Sequence, residues 1–144
     1  MNENINYLPE GRSTICPFLV VDDVRLQISF LRRVFDVQMI EQLIDSEGNV
    51  RHCELKIGDV AVMIGPANAD YPSRNSLNFV YVPNVDEIFR DALQNGAKPF
   101  IEPSDKFYGI RDGAFFDPNG NEWWVGTQVE KLTNEEIQQR MKKL

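Results

Sequence analysis

The sequence predicts an α+β fold in which two tandem βαβββ modules are followed by a short C-terminal helix. Three observations carry that expectation. Apolar runs of strand length alternate with segments whose apolar residues recur at helical spacing. The order strand, helix, strand, strand, strand occurs twice. The two halves superpose at an offset of 61 residues, which lays Val21 on Val82, Phe35 on Gly96 and the Gly58-Asp59 turn on Asn119-Gly120.

Each element has a local reason. "TICPFLVV" (14 to 21) is a continuous apolar run, as in a buried strand. Asp22 and Asp23 offer N-cap oxygens to a helix with Val24, Ile28, Leu31 and Phe35 on one face. "VQMIEQLI" (37 to 44) is a strand, "SEGN" a turn, and "VRHCELKI" (50 to 57) alternates before a two-residue Gly58-Asp59 hairpin into "VAVMIG" (60 to 65). The turn-forming stretch "PANADYPSRN" separates this from "SLNFVYV" (76 to 82). Asn84 with Glu87 makes a capping-box pattern; Val85, Ile88, Phe89 and Ala92 supply an apolar face, and Asn95-Gly96 a C-cap. "KPFIEP" (98 to 103), "GIRDGAFF" (109 to 116) and "NEWWVGTQ" (121 to 128) complete the second set of strands. Thr133 and Glu136 cap a last helix with Ile137 and Met141 on one side and Arg140, Lys142 and Lys143 near its negative end; it is expected to dock.

At 144 residues the chain has the length of one domain, 1 to 144, with modules at about 13 to 65 and 75 to 128 and the helix at 133 to 144. A net charge of −7 disfavours nucleic acid and anionic membrane surfaces as partners. Cys16 and Cys53 lie in apolar runs with no disulfide or zinc spacing and read as buried thiols. The opening stretch lacks an apolar core of signal-peptide length, and no apolar run approaches the length of a membrane span, so a cytoplasmic protein is expected. No Gly-rich phosphate loop and no nucleophile elbow is present.

A tandem βαβββ chain ending in Asp-Pro-x-Gly-x-x-Trp-Trp resembles the vicinal oxygen chelate superfamily, which includes glyoxalase I, extradiol dioxygenases and bleomycin-resistance proteins. The resemblance spans roughly residues 13 to 129. "VDDVRLQISFLRRVF", "RHCELKIGDVAVMIG", "VDEIFRDALQNGAK", "RDGAFFDPNGNEWWVGTQVEKL" and "TNEEIQQR" are similar to its PhnB-like branch. The resemblance implies a curved mixed sheet forming a cup, helices on its convex side, and a homodimer. It also implies four metal-ligand positions, on the first and last strand of each module, which here read Cys16, Met63, Leu77 and Trp124. Hard divalent ions take carboxylate and imidazole, and neither Leu nor Trp ligates anything, so no metal and no cofactor is expected.

Strand parity then places Phe18, Met63, Phe79, Tyr81, Phe115 and Trp124 on the concave side as a wall for an apolar or aromatic small molecule, or as plain core filling the cup. His52, Glu54, Arg111 and Glu122 share that parity. His52 and Glu122 are the weak candidates for general acid-base work, and Arg111 for orienting a ligand carboxylate, or for a simple ion pair with Glu122. Tyr71, Phe107 and Tyr108 sit in loops at the rim. The expected function is a metal-free small-molecule-binding protein of the glyoxalase and bleomycin-resistance type; the alternatives are a glyoxalase-like or dioxygenase-like enzyme on a small carbonyl or aromatic substrate, and a fold whose cup is packed shut.

Overall fold

The computed structural model describes residues 4 to 144, so the first three residues of the polar opening stretch lie outside the described residues. The chain divides into two compact units, Met1–Asn75 and Ser76–Leu144.

The first unit contains β1 (Phe18–Val21), α1 (Val24–Val34), β2 (Val37–Ile44), β3 (Val50–Ile57) and β4 (Val60–Pro66). Their sheet runs β1-β4-β3-β2, with β1 parallel to β4 and the rest antiparallel. The Asp23 carboxylate accepts the Leu26 amide at 3.0 Å, which starts α1 where the sequence placed it. Val24, Ile28, Leu31 and Val34 are buried at helical spacing, and Leu19, Val21, Cys53, Leu55, Val62 and Ile64 are their buried strand counterparts. One face of the sheet is therefore covered by the helix; the other is open to different contacts.

The second unit repeats the plan with β5 (Leu77–Tyr81), α2 (Val85–Gln94), β6 (Lys98–Asp105), β7 (Ile110–Phe116) and β8 (Glu122–Gln128) in the order β5-β8-β7-β6, followed by α3 (Asn134–Met141). The Asn84 side chain accepts the Glu87 amide at 3.2 Å, and Gly96 takes the positive φ of 97° that the helix exit needs. Phe89 of α2 meets Phe115 of β7 edge-on, with ring centroids 6.4 Å apart, inside a core that also holds Val85, Trp123 and Val125.

Three expectations need correction. β1 begins at Phe18, not at Thr14: Pro17 has no amide to donate, and the preceding residues bend so that Ser13 Oγ accepts the Ala61 amide at 3.2 Å and Ile15 is left exposed. α3 forms but buries none of its residues; Arg140 holds it by a fork onto Glu130 at 2.8 and 2.9 Å and a bond to the Phe107 carbonyl. β7 runs one side-chain phase away from the expected one, because Glu54 pairs with Met63 whereas Ala114 pairs with Trp124. β4 and β8 thus correspond at an offset of 61, but β3 and β7 at 60, the turn Asp117 to Asn121 being longer than Gly58-Asp59. A one-residue slip sends every side chain to the opposite face.

Candidate functional site

On the second module the helix-free face is the more ring-rich. The registers Leu77↔Glu122, Phe79↔Trp124↔Ala114 and Tyr81↔Gly126↔Asp112 put these side chains on one side of the sheet, with Phe116 beside Glu122. Leu77, Phe79 and Tyr81 remain 65%, 43% and 69% exposed, a row of apolar side chains that an isolated core strand does not show. Phe79 and Tyr81 lie 4.9 Å apart; Phe100, 49% exposed, lies 5.1 Å from Phe116 and 6.5 Å from Trp124. The Trp124 indole donates to Glu122 Oε2 at 2.7 Å, which sets the plane of the ring. The Phe79 ring closes over Gly126, where an added Cβ would stand 2.8 Å from it.

The first module repeats this last device: Phe18 lies over Gly65, where a Cβ would come within 3.2 Å of the ring. There the resemblance between the faces stops. Arg12 folds across the open face and donates to Glu54 at 2.5 Å and Glu41 at 3.1 Å. Glu54 is buried beside Met63 and lies 3.9 Å from His52 Nε2, and His52 packs 5.8 Å from Phe18. The Arg12 hydrogen bond holds the Glu54 carboxyl below the usual carboxylate range, against the opposing effect of burial. Stability from a lowered carboxyl is present above its unfolded pKa and is lost as pH falls through the folded one. Arg12→Gln is therefore expected to be less stable than the parent at pH 7, with the gap closing as both are acidified. Thermal melts of the two proteins across pH 7 to 2.5 check this; parallel curves would refute it.

Asp112 takes the place on the second module that His52 takes on the first. Its buried carboxylate accepts from Lys106 Nζ at 2.6 Å and from the Tyr108 hydroxyl. Burial, then the bond to Asp112, pushes the Tyr108 phenol up to about 12, so it stays a donor at neutral pH. Of the loop aromatics, Tyr108 thus belongs to a polar end of this face with Phe107 against it at 5.1 Å, while Tyr71 carries the Arg74 guanidinium over its ring.

Phe115 and Arg111 were expected on the open face, and the structure moves both. Phe115 is fully buried against α2, and Arg111 forks onto Asp86 at 2.9 Å and reaches Asp105 at 3.2 Å, holding the Asp86 carboxyl below its usual range. No Arg111–Glu122 ion pair forms, since they project from opposite faces. Phe116 and Phe100 supply the rings that Phe115 does not. His52 and Glu122 sit on different modules, each engaged within its own.

The four positions implied as metal ligands carry a thiol, a thioether, an isobutyl group and an indole. Cys16 Sγ donates to the Ser13 carbonyl at 3.2 Å, and the Trp124 nitrogen donates to Glu122. Among the described residues no group of three His, Cys, Asp or Glu side chains converges as a metal site. The donor set does not fit a hard divalent ion. Cys53 is no alternative ligand, since burial pushes its thiol up to about 11.

The residues that carry the Asp-Pro-x-Gly signature turn out to be structural. Asp117 Oδ1 accepts the amides of Asn119 and Asn121, both at 2.9 Å, and Oδ2 accepts the Trp123 indole at 2.8 Å. Asn121 Oδ1 in turn accepts the Ser76 amide at 2.9 Å and so fixes the start of β5.

Paired βαβββ modules, each with one helix-covered and one helix-free sheet face, define the class of protein. The family model of the Glyoxalase/Bleomycin resistance protein/Dioxygenase superfamily matches residues 14 to 125, and the chain belongs to that superfamily. An uncharacterized protein of Mycobacterium bovis is 30% identical, the alignment covering 88% of this chain and 91% of that one. Among solved structures, TioX from Micromonospora sp. ML1 superposes with a TM-score of 0.70 at 24% identity, over 81% of this chain and 99% of that one. A PhnB protein from Bacillus cereus superposes with a TM-score of 0.65 at 17% identity, over 80% of this chain and 99% of that one. No helix among the described residues is long and apolar enough to cross a membrane.

Proposed function

We propose that the protein binds an apolar or aromatic small molecule without a metal, using the ring-lined open face of the second module. The observation that carries this reading is the cluster of exposed Phe79, Tyr81 and Phe100 with the part-buried Trp124, whose indole is held by Glu122. Ring faces that remain accessible and oriented stack on a flat guest at little conformational cost. Phe18 and Met63 hold the corresponding places on the first module, where the Arg12–Glu54 pair makes the face polar.

The two adjacent tryptophans make the test direct. Trp123 is buried and Trp124 only partly so, and in a Trp123→Phe protein the emission reports on Trp124 alone. Titration with a panel of flat aromatic compounds is expected to quench or shift that emission, and Trp124→Ala, followed by calorimetry, to weaken the best binder by roughly 30-fold or more. A panel with no effect, or Trp124→Ala binding as tightly as the parent, would sink the proposal. So would stoichiometric metal found by elemental analysis of protein purified without chelator.

A further inference from the structure

We infer a second, independent site: an anion-binding groove between α1 and the edge strand β2, suited to a small molecule bearing a phosphate dianion. The groove has a volume of about 460 Å³ and is lined by Arg25, Ile28, Ser29, Arg32, Arg33 and Gln42. That size accommodates a phosphorylated metabolite-sized ligand.

Four of the lining residues share one stripe of α1, since Arg25, Ser29, Arg32 and Arg33 stand at i, i+4, i+7 and i+8. Gln42 faces them from β2, being the cross-strand partner of Cys53, which lies under the helix. Every polar side chain of the lining is a hydrogen-bond donor, and none is a carboxylate. None of the three arginines forms an ion pair among the described residues, although the chain carries 22 acidic side chains and a net charge of −7. Unpaired guanidiniums gathered round one concavity in an acidic protein call for a local reason.

Helix stability accounts for only part of it. Arg32 and Arg33 lie in the last turn, where the helix dipole favours cations, but Arg25 lies in the first turn, where it does not. Arg25 is instead fixed by a 2.6 Å bond from its Nη2 to the Gly48 carbonyl, and its side chain lines the groove. Planar guanidinium forks match the oxygens of a phosphate better than ammonium groups do, and Ser29 and Gln42 add neutral donors beside them. Because the arginines are exposed, the attraction is screened by salt.

Inorganic pyrophosphate is the probe, titrated calorimetrically into the full chain at low and at near-physiological ionic strength. Binding is expected at low salt, weakening as salt rises. Arg32→Gln/Arg33→Gln is expected to weaken it roughly tenfold or more. Arg90→Gln, which removes an exposed arginine from α2, is expected to leave it unchanged. Circular dichroism and an unchanged thermal melt show that the double variant is folded. No pyrophosphate binding, equal loss in Arg90→Gln, or no loss in the double variant would overturn the inference. Sedimentation with phosphatidic-acid vesicles in the absence of pyrophosphate binding would do the same, by assigning the arginines to a membrane surface.

Discussion

Replacing Trp123 with alanine is expected to lower the unfolding free energy by about 3–5 kcal/mol, the range for truncating a large aromatic in a close-packed core. Trp123 is 2% exposed and sits on the helix side of β8, opposite Phe115 in the neighbouring strand. Its loss leaves a cavity that the flanking strands cannot collapse into without breaking their register. It also removes the 2.8 Å indole bond to Asp117, the residue that organises the turn between β7 and β8 and, through Asn121, the start of β5. Trp124→Ala, one residue on, should cost clearly less, because Trp124 lies on the helix-free face and is only partly buried. Urea denaturation of both variants separates the two roles. Equal losses would mean that the two tryptophans are not divided between core and site.

The second large effect is expected from Gly113→Ala, at about 2–3 kcal/mol or more. A Cβ there would stand 2.8 Å from the Ile101 carbonyl oxygen and 2.9 Å from the Pro103 nitrogen, both backbone atoms of β6. β6 approaches this closely because its pairing with β7 shifts register between Pro99 and Ile101 and again between Ile101 and Ser104. A side-chain tip can swing aside; a paired strand cannot. Gly126→Ala is the informative contrast, since its nearest neighbours are the Phe79 ring at 2.8 Å and the Ile110 methyl at 2.9 Å. It should cost less stability while displacing Phe79 from the ring cluster. Denaturation midpoints, with the Trp124 titration run in parallel, check both; a Gly113→Ala protein as stable as the parent would refute the close approach.

Much of the fold was legible because it rests on local rules. Apolar runs of strand length bounded by turn residues identified the strands, helical spacing identified α1 and α2, and Asp23, Asn84 and Thr133 each cap the helix they were expected to cap. The site was legible only where strand phase was clear. Phe79, Tyr81 and Trp124 share a face as expected, whereas Phe115 and Phe116 are adjacent rings, one on each face, and residue type cannot say which is which. The same slip puts Asp112 on the wrong face, whereas Tyr108 reads as a loop residue at the rim without its bond to Asp112. Arg12 left none, because its partner Glu54 is 42 residues away and nothing in the polar opening stretch marks it as buried.

By itself, the sequence determined the two repeated modules and their element order, since these depend on residue type and on spacings within one element; it also put a thiol, a thioether, an isobutyl group and an indole at Cys16, Met63, Leu77 and Trp124, the positions that the resemblance implied as metal ligands. Tertiary structure alone decided which face β7 presents and what covers the first module's sheet. It also decided that three arginines of α1 share a groove with β2. Those are matters of register and of contacts between distant segments, set by the turn length between strands and by packing rather than by any local preference of the chain.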